Sequence, residues 1–258
     1  MRRLLTLLLI LFPAAVSAQQ GVILFDRSVQ YDFEVPEAWA EMKDLMAASA
    51  FSSMLLLFNE SASLMTPVPT EEEESADRMA LRAKGMVARL KMGSPSRSDQ
   101  EVLQEAYVRY EDGTVAETRE FMTRKFLITG TRPEYDWKLT GEQSELLGFT
   151  VHKATAVQDS SVIEAWFTPE IPVSAGPGLF GGLPGMILSV SVDDGHTVYS
   201  AAEVKLDPVD AEAIKAPDDG DEVSREEYEE IVAEKLEEIK TLRGRRRGRG
   251  NDRRGGLR

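Results

Sequence analysis

Met186-Ile187-Leu188-Ser189-Val190-Ser191-Val192-Asp193-Asp194-Gly195-His196-Thr197-Val198-Tyr199-Ser200-Ala201-Ala202-Glu203-Val204-Lys205-Leu206 is the stretch that decides the fold. Met186, Leu188, Val190 and Val192 alternate with Ile187, Ser189 and Ser191. Past the turn, Val198, Ala202, Val204 and Leu206 alternate with Tyr199, Glu203 and Lys205. A period of two is that of a strand with one buried and one mostly wet face. Asp194-Gly195 between the two runs supplies the positive φ angles of a tight hairpin, and Glu111-Asp112-Gly113-Thr114 repeats the device. Working outward, the chain from Val102 onward reads as a β meander. The apolar run 52–58, ended by Asn59-Glu60-Ser61, suits a strand buried on both faces, with Leu64 and Met65 on the return strand. Gly21-Val22-Ile23-Leu24-Phe25 begins another.

The expected fold is therefore mainly β (α+β): a curved, partly barrel-like antiparallel sheet of roughly eight to eleven strands. Trp39, Met42, Leu45 and Met46, at helical spacing after Val35-Pro36-Glu37, predict one N-terminal helix packed on the sheet. Ser224 and Glu227 form a capping box ahead of Tyr228, Ile231, Val232, Leu236, Ile239 and Leu242, so residues 224–242 read as an amphipathic helix. Its stripe is expected to dock on its own domain.

The two ends differ from the body. Met1-Arg2-Arg3, an apolar run over 4–12 and Pro13-Ala14-Ala15-Val16-Ser17-Ala18 have the form of a signal peptide over 1–18, cleaved near Ala18. The apolar run falls well short of the ~20 residues that cross a bilayer. The expected location is periplasmic or secreted. Residues 19–208 form the β domain, interrupted over 67–97 by a charged insertion holding four consecutive glutamates, Glu71 to Glu74. Residues 209–223 read as an acidic linker and 243–258 as a disordered Arg/Gly-rich tail. The tail holds eight Arg against one Asp, a charge of +7, in a chain of net charge -14; without Arg2 and Arg3, the body 19–242 carries -23. Arg243, Arg245, Arg246, Arg247, Arg249, Arg253 and Arg254 are candidate polyanion-binding residues. After export the polyanion is not expected to be nucleic acid. With no cysteine, the protein can use neither disulfides nor thiol chemistry.

The densest local pattern runs over 166–188, where prolines and glycines fix the chain path by covalent geometry. Gly182-Leu183-Pro184-Gly185-Met186-Ile187-Leu188 resembles the signature of the GLPGLI family of Gram-negative envelope proteins, with Met186 where the commonest form has Leu. Ala165-Trp166-Phe167-Thr168-Pro169-Glu170-Ile171-Pro172, Gly176-Pro177 and Phe180-Gly181 also resemble the family's extended pattern, as do Trp137-Lys138-Leu139 and Gly148-Phe149 with Lys153-Ala154. The signature residues singled out are Trp166, Thr168, Pro169, Glu170, Pro172, Gly176, Pro177, Phe180, Gly182, Leu183, Pro184 and Gly185. Leu179, Phe180 and Leu183 are expected to turn inward and close the end of the sheet, and Gly182 and Gly185 to occupy backbone that a Cβ would disturb. Many relatives carry a cysteine near the position of Val151, so no redox or metal role of that cysteine carries over. The resemblance implies a compartment and no established reaction.

Catalytic machinery is hard to assemble. The two histidines, His152 and His196, fall in a strand and after a hairpin turn. No Gly-x-Ser-x-Gly motif offers a nucleophile on a strained turn, and no cluster of His, Cys or carboxylates has zinc spacing. No metal or cofactor is expected. Glu170, held between two prolines, is the carboxylate to watch, with a structural hydrogen bond to loop amides favoured over acid-base work. The leading expectation is a non-enzymatic periplasmic binding or accessory protein of the outer envelope, serving an outer-membrane protein or a hydrophobic ligand. The alternatives are a hydrolase-like enzyme using Glu170 and a polyanion-binding module acting through the tail.

Overall fold

The computed structural model describes residues 20–30, 49–68, 102–158 and 160–252. The expected signal peptide, the helix near Trp39 to Met46 and nearly all of the charged insertion lie outside the described residues. Twelve strands form one sheet: β1 (Gly21–Gln30), β2 (Ser49–Phe58), β3 (Ala62–Pro67), β4 (Val102–Arg109), β5 (Thr114–Phe121), β6 (Arg124–Thr131), β7 (Lys138–Leu146), β8 (Phe149–Gln158), β9 (Ser161–Thr168), β10 (Met186–Val192), β11 (Thr197–Lys205) and β12 (Asp221–Val223). Their spatial order is β12-β6-β5-β4-β3-β2-β1-β11-β10-β9-β8-β7. Every pairing is antiparallel except β12 with β6, which is parallel.

Both Asp-Gly hairpins form. Asp193, Asp194 and Gly195 all have positive φ between β10 and β11, and Gly113 does so between β4 and β5. The buried phase on β11 differs from the simple alternation. Tyr199 and Ala201 are buried while Ala202 is exposed, and the phase then changes so that Val204 packs on the core. The register explains this: Phe25 faces Ala201 and Leu24 faces Glu203, so Ala202 is an extra residue, and a bulge moves the following side chains to the other face. On β2, Met54, Leu56 and Phe58 are buried while Leu55 and Leu57 are half-buried, so this strand has one core face rather than two.

The sheet is curved but not closed, which corrects the barrel-like expectation. Glu117 on β5 and Gln158 at the end of β8 line one cleft, yet eight strand spacings separate β5 from β8. Laid flat, that is about 38 Å. The sheet therefore curls, bringing its two halves toward each other across a core that includes Phe25, Leu56, Phe58, Met65, Met186 and Leu188. The end strands do not meet: β7 is exposed along nearly its whole length, and β12 is only three residues long.

The segment expected as a linker is built into the fold. Asp221 to Val223 extend the sheet beside β6, fastened by Arg124–Asp221 and Lys125–Asp219 ion pairs at 2.7 and 3.0 Å. Gly220, at φ +132, makes the approach, since a Cβ there would come within 2.9 Å of the Leu127 amide nitrogen. The helix α1 (Arg225–Asp252) follows directly. Its capping box is present: Ser224 N–H donates to Glu227 at 2.9 Å, and Glu227 N–H donates to the Ser224 hydroxyl at 3.1 Å. Tyr228 and Val232 bury against Phe121, Phe126 and Ile128, and the Tyr228 ring meets Phe126 edge-on at 5.3 Å. The apolar stripe thus docks on its own sheet. The helix also runs past Leu242, where irregular chain was expected, through Arg243 to Asp252. A helix already nucleated propagates through arginines, which are good helix formers, and carries the cost of about 1 kcal/mol at each glycine. No helix among the described residues is long and apolar enough to cross a membrane.

Candidate functional site

The signature segment is a braced piece of backbone. Met186 N–H donates to Ile171 O at 3.0 Å and Ile187 N–H to Ala175 O at 2.8 Å, which lays 171–175 against the start of β10. Arg132, at the end of β6, donates to three carbonyls of the segment: Ser174 at 2.9 Å, Leu179 at 3.1 Å and Phe180 at 2.6 Å. Burial pulls its guanidinium below the usual arginine range. Trp137 Nε1–H donates to Gly181 O at 2.7 Å, and Gly182 N–H to the Ser174 hydroxyl at 3.1 Å.

Within this segment Leu183 is buried, and Leu179 and Phe180 are half-buried. Gly185 has φ +147, and a Cβ there would overlap the Thr168 carbonyl oxygen and lie 2.7 Å from its carbon; Gly182 has φ +85. Gly176 and Pro177 are buried, while Pro169, Pro172 and Pro184 are exposed. Thr168 is fully buried, its hydroxyl accepting from Glu170 N–H at 3.2 Å. Trp166 packs on the main core with the Lys153 ammonium 5.9 Å from its ring. Glu170 is exposed and accepts from Thr150 N–H on β8 at 2.8 Å. His152 rests 5.8 Å from the Phe167 ring, and His196 is exposed beside its hairpin. Of the candidate polyanion-binding residues, Arg243, Arg245, Arg246, Arg247 and Arg249 lie on the last turns of α1, and Arg253 and Arg254 lie outside the described residues.

The segment also forms one wall of a cleft of about 370 Å³ between the curled sheet and the start of α1. Three aromatic rings face it. Tyr135 stacks on Phe180 at 5.5 Å, and Phe180 meets Tyr199 edge-on at 6.4 Å. Leu103 and Leu179 add apolar surface. Opposite them is a charged group that sequence reasoning missed. Glu117 on β5 is only 1% exposed and pairs with both Arg119 and, at 2.9 Å, Arg225 at the start of α1. A signal for it existed: Glu117 and Arg119 share the strand phase of buried Val115 and Phe121, so β5 points two charged residues toward the core. Arg225 sits in the first turn of α1, where the helix dipole disfavours a cation, and its pairing with Glu117 offsets that cost.

Tyr135 stands among these charges. Burial pushes its hydroxyl up to about 12, with Arg132, Arg225 and Glu117 close enough to act on it electrostatically. Tyr110, in the core behind, is likewise pushed up to about 12 by burial. Among the described residues no group of three or more His, Cys, Asp or Glu is arranged to hold a metal.

Comparison with known proteins gives a short match and a distant fold likeness. Residues 155–189, from β8 through the signature segment into β10, match the profile of a family described as a protein of unknown function (Porph_ging). No curated protein matches the chain. Two solved structures, "Structure of PNGF-II in P21 space group" and "Structure of PNGF-II in C2 space group", are 16% identical, with TM-scores of 0.50 and 0.51. Each alignment covers 83% of this chain and 33% of the other, so the chain spans a third of their length. At that identity the likeness is one of fold.

Proposed function

We propose that the protein is an exported, non-enzymatic binding or accessory protein of the Gram-negative outer envelope that holds a ligand in the cleft between the curled sheet and α1. The observation that carries this reading is the cleft's construction: three aromatic rings opposite a carboxylate already taken up by two guanidiniums. A carboxylate held between two arginines fixes their position, and among the described residues no serine, threonine, cysteine or histidine lines the cleft beside it. Glu170, the alternative catalytic carboxylate, is spent on the Thr150 amide and does not line the cleft. Support for the compartment comes from the leader-like residues 1–18 and from the resemblance of 182–188 to the GLPGLI signature.

The test is to express the full chain in a Gram-negative host, fractionate the cells and examine the purified protein by native mass spectrometry. The reading expects a periplasmic product beginning near Gln19 that carries, or takes up, one small molecule per chain. A product retained in the cytoplasm would remove the export claim. Failure to bind any member of a panel of apolar and amphipathic small molecules would remove the binding claim.

A further inference from the structure

We infer that the cleft selects ligands with a single oxyanion group, a carboxylate, sulfonate or phosphate, carried on a flat apolar body. This rests on the binding reading above and supplies its ligand class. Guanidiniums gather around the cleft. Arg119 and Arg225 meet at Glu117, Arg132 lies behind the Phe180 wall, and Arg27 lies 5.7 Å from the centre of the Tyr199 ring. Among the described residues the carboxylates at the cleft are Glu117 and Glu229, and Glu229 lies on the exposed rim. The lining itself balances, Arg119 and Arg225 against Glu117 and Glu229, so the excess comes from Arg132 and Arg27 behind the Phe180 and Tyr199 rings, in a chain whose net charge is -14.

That excess is not neutralised. Arg132 is satisfied by three carbonyl oxygens, which accept its N–H groups without cancelling its charge. Arg27 contacts a ring face and no carboxylate among the described residues. A low-dielectric cleft backed by one excess sign concentrates that field on whatever enters. Arg225 is the cation best placed to meet an oxyanion, because it lines the cleft and its side chain is 32% exposed. The Tyr135 side chain also lines the cleft, and its hydroxyl, protonated at neutral pH as any phenol is, can serve as a second donor. The Tyr135, Phe180 and Tyr199 rings, with Leu103 and Leu179, offer the apolar body flat surface to stack on. A volume of 370 Å³ suits a ligand of two or three fused or linked rings rather than a long chain.

Two probes separate charge from shape: 1-anilinonaphthalene-8-sulfonate, an anion, and N-phenyl-1-naphthylamine, its uncharged counterpart. The inference expects saturable one-to-one binding of the sulfonate, weaker binding of the neutral probe, and a steep loss of sulfonate affinity alone between about 0.05 and 0.5 M salt. Arg225→Gln weakens the sulfonate about tenfold and leaves the neutral probe within twofold. Glu229→Gln, which removes the rim carboxylate, tightens the sulfonate about threefold, a gain that a folding defect would not produce. If both probes bind alike and both variants affect them alike, anion selection is overturned while the binding reading stands. If neither probe binds the native protein, the binding reading falls, and this inference with it.

Discussion

The two walls of the cleft were made in opposite ways. The signature segment is rich in glycine and proline, and the sheet fixes it by hydrogen bonds to its backbone: three from Arg132, one from Trp137, and two into β10. The opposite wall, β5 and the first turn of α1, has no compositional signature, and its content is side-chain charge: Glu117, Arg119 and Arg225. The first wall shows where the backbone is demanding, and its polar groups are consumed in holding it. The second shows where charge has been placed against the interior. In the proposed binding cleft the conspicuous motif therefore supplies scaffold and the apolar surface of Leu179 and Phe180, while the charged groups lie on elements that no motif marks.

That contrast can be broken or sharpened by substitution. Glu117→Gln has the largest expected effect: it removes the negative charge that Arg119 and Arg225 share and costs about 3 kcal/mol, less than a fully buried pair because both arginines remain partly exposed. Chemical denaturation measures it, and a loss under 1 kcal/mol would mean that the charges are solvated and the second wall is ordinary surface. Gly185→Ala comes next at about 2 kcal/mol, from φ +147 and the collision with the Thr168 carbonyl. That corresponds to a fall in melting temperature of roughly 4–8 °C for a chain of this size. Gly182→Ala, at φ +85 with its nearest neighbour 3.6 Å away, costs about 1 kcal/mol and ranks last among the three.

The tyrosines give a pH test that spans the core and the cleft. Tyr110 and Tyr135 have folded values near 12, above the ordinary value of 10.0. Between those values the unfolded chain releases protons that the folded chain keeps, so their contribution is fully present below pH ~10 and is lost as pH rises through 12. Ultraviolet titration is expected to show Tyr110 and Tyr135 ionising late and together with loss of stability, and Tyr135→Phe to remove one late-ionising group. Late ionisation that survives Tyr135→Phe unchanged would place that hydroxyl in solvent.

Much of the sheet was legible because alternation and Asp-Gly turns are local signals: β4, β5, β10, β11 and both hairpins follow from them. The buried phase before Ala202 was not, because a bulge is set by the register with β1 and not by β11 itself. β12 was invisible as three residues inside an acidic stretch, since only its pairing with β6 makes it a strand. The capping box located the start of α1, but nothing in the arginine and glycine run showed that the helix would continue to Asp252. At the site, the inward turn of Leu183 and the strained glycines were readable from local geometry. The Glu117 cluster joins β5 to a helix more than a hundred residues later, and that meeting is a property of the curled sheet.

The most direct measurement of the central claim is the affinity of 1-anilinonaphthalene-8-sulfonate for Gly185→Ala and Arg225→Gln, each well below its own melting temperature. The account predicts that Gly185→Ala, though less stable, binds the probe as the native protein does, while Arg225→Gln binds about tenfold more weakly. Affinity lost in Gly185→Ala and retained in Arg225→Gln would contradict it, making the signature segment the recognition surface and the charged wall its scaffold.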